Sequence, residues 1–300
     1  MGRVVAAFLA FAVAVANAQE DFKIKSDVRL VRILTTVKDT AGLLVGDLEK
    51  KDFALTDNGI PQAIAIFERT TAQPLSVSLL VDTSSSTATN LKNEIDSIQK
   101  FINALFRDGN DGDRAALYSF SWQVTLERGF TRDASRLESA LRRLKPDGGT
   151  AMYDGLQFAA KHLEGRSGRH VIIIVTDGGD TASNLKFADA MEAVQRADAV
   201  IYPILIVPIT NGAGRNIGGE NALQTFADNT GGRVFVPSIG SQLDNAFAAI
   251  LRDLRSQYLL GYYPKNVPPT KERFHRVRIE TTRPGLRISA RSGYYGDAIP

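Results

Sequence analysis

Leu75-Ser76-Val77-Ser78-Leu79-Leu80-Val81-Asp82-Thr83-Ser84-Ser85-Ser86 decides the reading of this 300-residue chain. Its first seven residues form an apolar run, the pattern of a strand buried on both faces. It then breaks into one carboxylate and four hydroxyls. A second apolar run, Val171–Thr176, ends in Asp177-Gly178, and between the two lies Asp147-Gly148-Gly149-Thr150. Open parallel sheets take ligands at the carboxyl ends of their strands. If these runs are parallel strands, Asp82, Ser84, Ser86, Thr150 and Asp177 converge at one sheet edge. Two carboxylates and three hydroxyls are hard oxygen donors, a set suited to Mg²⁺ or Mn²⁺.

Outward from this stretch the rhythm is strand, helix, strand. Residues 90–106 carry apolar positions at helical spacing, and Arg114–Ser121 and Val124–Phe130 read as strands. Helical patterns at 134–144, 152–163, 187–197, 221–229 and 243–254 alternate with strand patterns at 171–176, 199–207 and 234–236. This order predicts an α/β fold with a doubly wound, mostly parallel sheet.

The flanks differ. Residues 27–38 alternate with period two, Asp39–Gly42 is a turn, and Asp57-Asn58-Gly59 between Phe53–Leu55 and Ala63–Phe67 signals a hairpin. Strand patterns return at 258–263, 274–281 and 286–291. The resulting partition is a signal peptide at 1–18, an N-terminal β module at 19–70, the α/β domain at 71–256 and a C-terminal β extension at 257–300. Each flank is too small to stand alone, so the expectation is one β-sandwich made from both, with the α/β domain inserted.

Arg3, the short apolar stretch Val4–Val15 and Ala16-Asn17-Ala18 make a secretory signal, which predicts an exported protein of the periplasm, envelope or medium. No later run is apolar enough for a membrane helix, so no integral segment is expected after cleavage. The chain has no Cys, which excludes disulfides and thiolate zinc sites. Net charge is +3, and residues 252–300 hold ten basic against four acidic side chains. Such a tail could meet anionic surface polymers, but solvated strand faces are the more frequent reason for such charges. With no recognition module and an exported chain, nucleic acid is not an expected partner.

Taken singly, Ser and Thr before helices are usually N-caps and Asp-Gly is usually a turn. Together and in this order, the elements resemble the von Willebrand factor A domain family. Asp82-Thr83-Ser84-Ser85-Ser86 is similar to the Asp-x-Ser-x-Ser element of its metal-ion-dependent adhesion site. Gly148-Gly149-Thr150 is similar to the threonine element, and Thr176-Asp177-Gly178 to the second aspartate element. Asp113–Leu117 resembles the start of the family's second strand. The resemblance covers about residues 73–250. The flanks resemble those of bacterial secreted proteins related to the family, through Leu44–Leu48, Asp57-Asn58-Gly59, Tyr258–Pro264 and Arg291–Tyr295. The resemblance implies that Ser84 and Ser86 ligate Mg²⁺ directly, and that Thr150 does so directly or through water. It also implies that Asp82 and Asp177 act largely through water, and that an open position takes an Asp or Glu carboxylate from a partner protein.

The rival readings are weaker. Gly212–Gly219 resembles a dinucleotide fingerprint, but its third glycine is out of register and it follows the wrong strand, so it reads as a loop. His162, His170 and His275 form no metalloprotease motif, and His162 reads as a surface residue. Asp82 as nucleophile in Mg²⁺-dependent phosphoryl transfer would want a second carboxylate close by, where this chain has Ser84. A structural envelope protein without a working ion site is the remaining alternative. The expectation is therefore an adhesion or scaffold module and not an enzyme, of unassigned oligomeric state.

Overall fold

The computed structural model describes residues 30–69, 72–206, 216–268, 270–271 and 273–296. The expected signal peptide and residues 212–215 of the Gly212–Gly219 segment lie outside the described residues, while Ile217–Gly219 open a helix rather than continue a loop.

The N-terminal flank supplies β1 (Val31–Lys38), β2 (Phe53–Asp57), β3 (Ile60–Gln62) and β4 (Ile64–Glu68). Asn58 and Gly59 both have positive φ, 47° and 82°, the type I′ geometry that matches the twist of a two-residue hairpin. That hairpin joins β2 to β3 rather than to the run at Ala63–Phe67 that the sequence suggests. After β3 the chain changes sheets at Ala63, and β4 pairs with a C-terminal strand.

The central region supplies β5 (Leu75–Asp82), α1 (Leu91–Arg107), β6 (Arg114–Phe120), β7 (Val124–Thr131), α2 (Ala134–Leu141), α3 (Met152–Leu163), β8 (Arg169–Thr176), α4 (Phe187–Arg196), β9 (Ala199–Leu205), α5 (Ile217–Thr230) and α6 (Ser241–Arg255). The sheet runs β7-β6-β5-β8-β9. Its four strands β6, β5, β8 and β9 are parallel, and β7 closes one edge antiparallel. The expected strand at Val234–Val236 shrinks to one parallel bridge, Ile204 to Phe235, held by two backbone hydrogen bonds to β9 and its end.

Both faces of this sheet are buried. On one side Val77, Leu79, Val81, Val171, Ile173 and Val175 pack with α1, α2 and α6. On the other Leu80, Ile172 and Ile174 pack with α3, α4 and α5. The period-two side-chain alternation of a strand thus feeds two separate cores, and this is why β5 and β8 read as unbroken apolar runs.

The C-terminal flank adds β10 (Tyr258–Tyr262), β11 (Phe274–Thr281), β12 (Arg287–Ala290) and β13 (Gly293–Tyr295). Strands of the two flanks alternate in one antiparallel sheet, β12-β1-β10-β4, and in the second, β13-β11-β2-β3, the flanks meet where β11 pairs with β2. One apolar core draws on both sheets: Ile33, Val37, Leu55, Ile64, Tyr258, Leu260, Tyr262 and Val277. At its centre the fully buried Asp57 accepts from Tyr262 Oη at 2.8 Å and Tyr294 Oη at 2.9 Å, with His275 Nδ1 3.3 Å away. The basic residues of β11, Arg276 and Arg278, lie on its exposed face.

The β-sandwich docks at the amino-terminal edge of the parallel sheet. Buried Asp253 accepts from Lys38 Nζ at 2.9 Å and Arg233 Nε at 2.7 Å. Arg169, the first residue of β8, donates to the carbonyls of Gln73 and Leu254, and Arg291 pairs with Asp198 at 2.5 Å just before β9. The opposite, carboxyl edge lies roughly 23 Å away, at about 3.3 Å per residue of β5. Among the described residues no helix is long and apolar enough to cross a membrane.

Two outcomes follow from this architecture. A fragment of residues 19–70 lacks both neighbours of β1 and the β11 neighbour of β2, so its far-ultraviolet circular dichroism will show no folded β-structure. Asp57→Ala strands the buried Tyr262 hydroxyl and the part-buried Tyr294 hydroxyl, at about 1–3 kcal/mol each. Urea unfolding of the full chain should therefore show a loss of about 2–5 kcal/mol.

Candidate metal centre

All five residues singled out in the sequence lie at the carboxyl edge of the parallel sheet. The chain leaves β5 toward β6 on one side, while β8 pairs on the other, so the strand order reverses at β5. Connections diverge at such a point and leave a crevice outside the strand ends.

Asp82, the last residue of β5, is 0 % exposed. Its Oδ1 accepts from Ser84 N at 2.8 Å, and its Oδ2 accepts from Thr176 Oγ1 at 2.6 Å. Thr176 Oγ1 in turn accepts from Gly178 N at 3.1 Å. One carboxylate therefore ties the Ser84 loop to the end of β8, beside Asp177. Thr87 Oγ1 folds the loop back by donating to the carbonyls of Asp82 and Ser84, each at 3.0 Å. Ser84 Oγ and Ser86 Oγ stand 3.0 Å apart.

That spacing provides a test of fit. Two adjacent oxygen ligands of octahedral Mg²⁺, with bonds of about 2.1 Å, are separated by about 3.0 Å. The serine hydroxyls, hydrogen-bonded to each other, stand at a separation compatible with this, and Ser86 is exposed at the mouth of the site. Among the described residues no group of three or more His, Asp or Glu side chains is arranged to hold an ion by itself. The donor set therefore depends on its hydroxyls.

Thr150 is brought in by the loop after β8. Its N–H donates to Thr181 Oγ1 at 3.0 Å, and its carbonyl accepts from Thr181 N at 2.8 Å and Ala182 N at 3.1 Å. Asp180 Oδ1 accepts from Met152 N at 2.8 Å and caps the first turn of α3. On the other side, Asp147 N donates to the Thr83 carbonyl at 2.7 Å, and Ala151 N to the Ser121 carbonyl at 2.7 Å. Thr150 is thus pinned between both candidate aspartate loops. Trp122 lies over Gly148-Gly149, where a Cβ at either position would overlap its indole.

The electrostatics are those of a centre short of positive charge. Burial pushes the Asp82 carboxyl up to about 6, against the lowering effect of its hydrogen bonds from Thr176 and Ser84, and the Asp177 charge adds to the rise. A further acid stands beside them. Glu94, in the first turn of α1, is pushed up to about 8 by burial and then by the charges of Asp82 and Asp177. The positive end of the helix opposes this by less than about one pKa unit.

Residues 77–179 match the von Willebrand factor type A domain. The chain carries a von Willebrand factor type A domain. Among solved structures, the vWF domain of the type V pili tip protein Mfa5 from Porphyromonas gingivalis aligns with 61 % of this chain and 95 % of its own, at 17 % identity and TM-score 0.51. An aerotolerance-related membrane protein from Bacteroides fragilis aligns over 60 % of this chain and 98 % of its own, at 18 % identity and TM-score 0.46. No curated protein matches significantly. The 0.51 superposition establishes the type A fold and nothing finer.

Sequence reasoning missed three things in this type A domain. Thr181 and Asp180 act by hydrogen bonds to a loop thirty residues away, and the polar run Gly178–Ser183 after Asp177 was their one trace. Trp122 gave no sign of lying beside Thr150. Glu94 read as an ordinary acid of a helical first turn. By contrast, His162 is exposed as expected, though its Nδ1 lies 3.2 Å from Tyr118 Oη.

Glu94 and Asp82 both hold protons in the folded chain at pH values where the unfolded chain has released them. Stability of the chelator-treated protein therefore falls as pH rises from about 4 to about 8. Circular-dichroism melts at pH 5 and pH 8 should show the lower midpoint at pH 8, and a smaller drop in Glu94→Gln.

Proposed function

We propose that this protein is an exported protein-binding module, an adhesion or scaffold component rather than an enzyme. Its carboxyl-edge centre would hold Mg²⁺, with Mn²⁺ as a substitute. Ser84, Ser86 and Thr150 supply hydroxyls to the ion, and Asp82 and Asp177 act mainly through its waters. The observation that carries this reading is the Ser84–Ser86 hydroxyl pair, 3.0 Å apart above a buried carboxylate.

The chemistry follows from charge and access. Two carboxylates nearly neutralise a divalent ion, and with few of them bound directly the ion stays electrophilic enough to take another anion. An Asp or Glu side chain of a partner protein is the natural ligand for the open position. Beside it Trp122 is 60 % exposed. Exposed tryptophans next to a polar anchor are the residue type that dominates protein interfaces. Export rests on the segment at 1–18, as read from the sequence.

The phosphohydrolase reading fares worse. A nucleophilic Asp82 must present an oxygen to its substrate. Here the side chain is fully buried, and both oxygens accept hydrogen bonds.

Isothermal titration of the purified protein with Mg²⁺ and Mn²⁺ should show one site, lost in Asp82→Ala. An envelope pull-down should recover partners with Mg²⁺ and lose them with chelator, in Asp82→Ala and in Trp122→Ala. No ion binding by the unmodified chain would leave the structural envelope reading in its place. Recovery of the same partners by Asp82→Ala would mean that the ion is not the contact.

A further inference from the structure

Glu94 is 1 % exposed, and neither Oε1 nor Oε2 has a hydrogen-bond partner among the described residues. It is on the buried face of α1, with Leu91, Ile98 and Phe101. A carboxylate in such surroundings is costly unless a cation or a full set of donors meets it. Here the charges acting on it, those of Asp82 and Asp177, have its own sign.

Protonation alone does not resolve this. A neutral Glu94 still carries one O–H donor and acceptor oxygens with nothing opposite them. A divalent ion with its water shell meets both needs: it supplies the opposite charge and supplies donors in reach of a buried carboxylate. Among the described residues no three acids are arranged to hold one ion directly, so a direct bond from Glu94 to the ion is not part of the inference.

We infer that Glu94 is the third carboxylate of the ion centre, a positioning residue outside the hydroxyl set whose charge strengthens ion binding through the ion's bound water. This rests on the metal-binding reading above and goes beyond its five residues. The centre stores a conflict, because the charge that holds the ion destabilises the ion-free fold.

The test sets these two effects against each other in the full chain. Glu94→Gln keeps the shape and removes the charge. It should weaken Mn²⁺ binding tenfold or more by calorimetry, and raise the melting midpoint of the chelator-treated protein. Glu94→Asp keeps the charge and should retain most of the Mn²⁺ affinity. If the unmodified chain binds Mn²⁺ and Glu94→Gln binds it equally well, Glu94 has only a packing role and the inference fails while the five-residue centre stands. If the unmodified chain binds neither Mn²⁺ nor Mg²⁺, the metal reading itself fails. A Glu94→Gln protein that melts lower without metal also overturns the inference, because removal of an uncompensated buried charge must then cost stability.

Discussion

The two hydrogen bonds accepted by Asp82 hold the working edge of this molecule together. One comes from the chain that leaves β5, the other from the end of β8. They lie where the strand order reverses, so a single buried carboxylate closes the seam that the topology leaves open. The loops that carry Ser84, Thr150 and Asp177 are all tied within one or two hydrogen bonds of that seam. Both oxygens of this carboxylate are thereby committed to holding the edge in shape.

The other end of the sheet is committed to a different task. Chain entry at 72–74 and exit at 256–257 lie together there, and the β-sandwich closes over them through Asp253, Arg169 and Arg291. The carboxyl edge therefore faces away from the sandwich. Charge is handled in opposite ways at the two ends. Asp253 is buried between Lys38 and Arg233, a pairing that offsets its loss of water. Among the described residues Asp82 and Glu94 are buried with no basic side chain hydrogen-bonded or ion-paired to them, and both carboxyls rise well above their usual range.

Much of the fold was readable from residue order because both sheet faces are covered. Full burial on two sides makes β5 and β8 apolar end to end, a pattern with few alternatives. The short strand at Val234–Val236 failed the same reading, since three residues at a sheet edge carry too little burial to stay paired beyond one bridge. The hairpin partner of β2 was misplaced for a related reason. Asn58-Gly59 specifies the turn, but nothing local says that the chain changes sheets at Ala63.

By itself the sequence determined the α/β alternation, the β-rich flanks and the five oxygen-bearing residues, because each is written in local patterns: apolar runs, turn dipeptides and short polar motifs at strand ends. Only the tertiary structure decided that the flanks share two sheets around Asp57, and that Thr181 pins Thr150. It alone brought Trp122 beside the glycine turn and left Glu94 buried without a partner. Those facts depend on which elements meet across long stretches of chain. Burial, and the electrostatic cost it imposes on a carboxylate, is a property of that meeting and of no single segment.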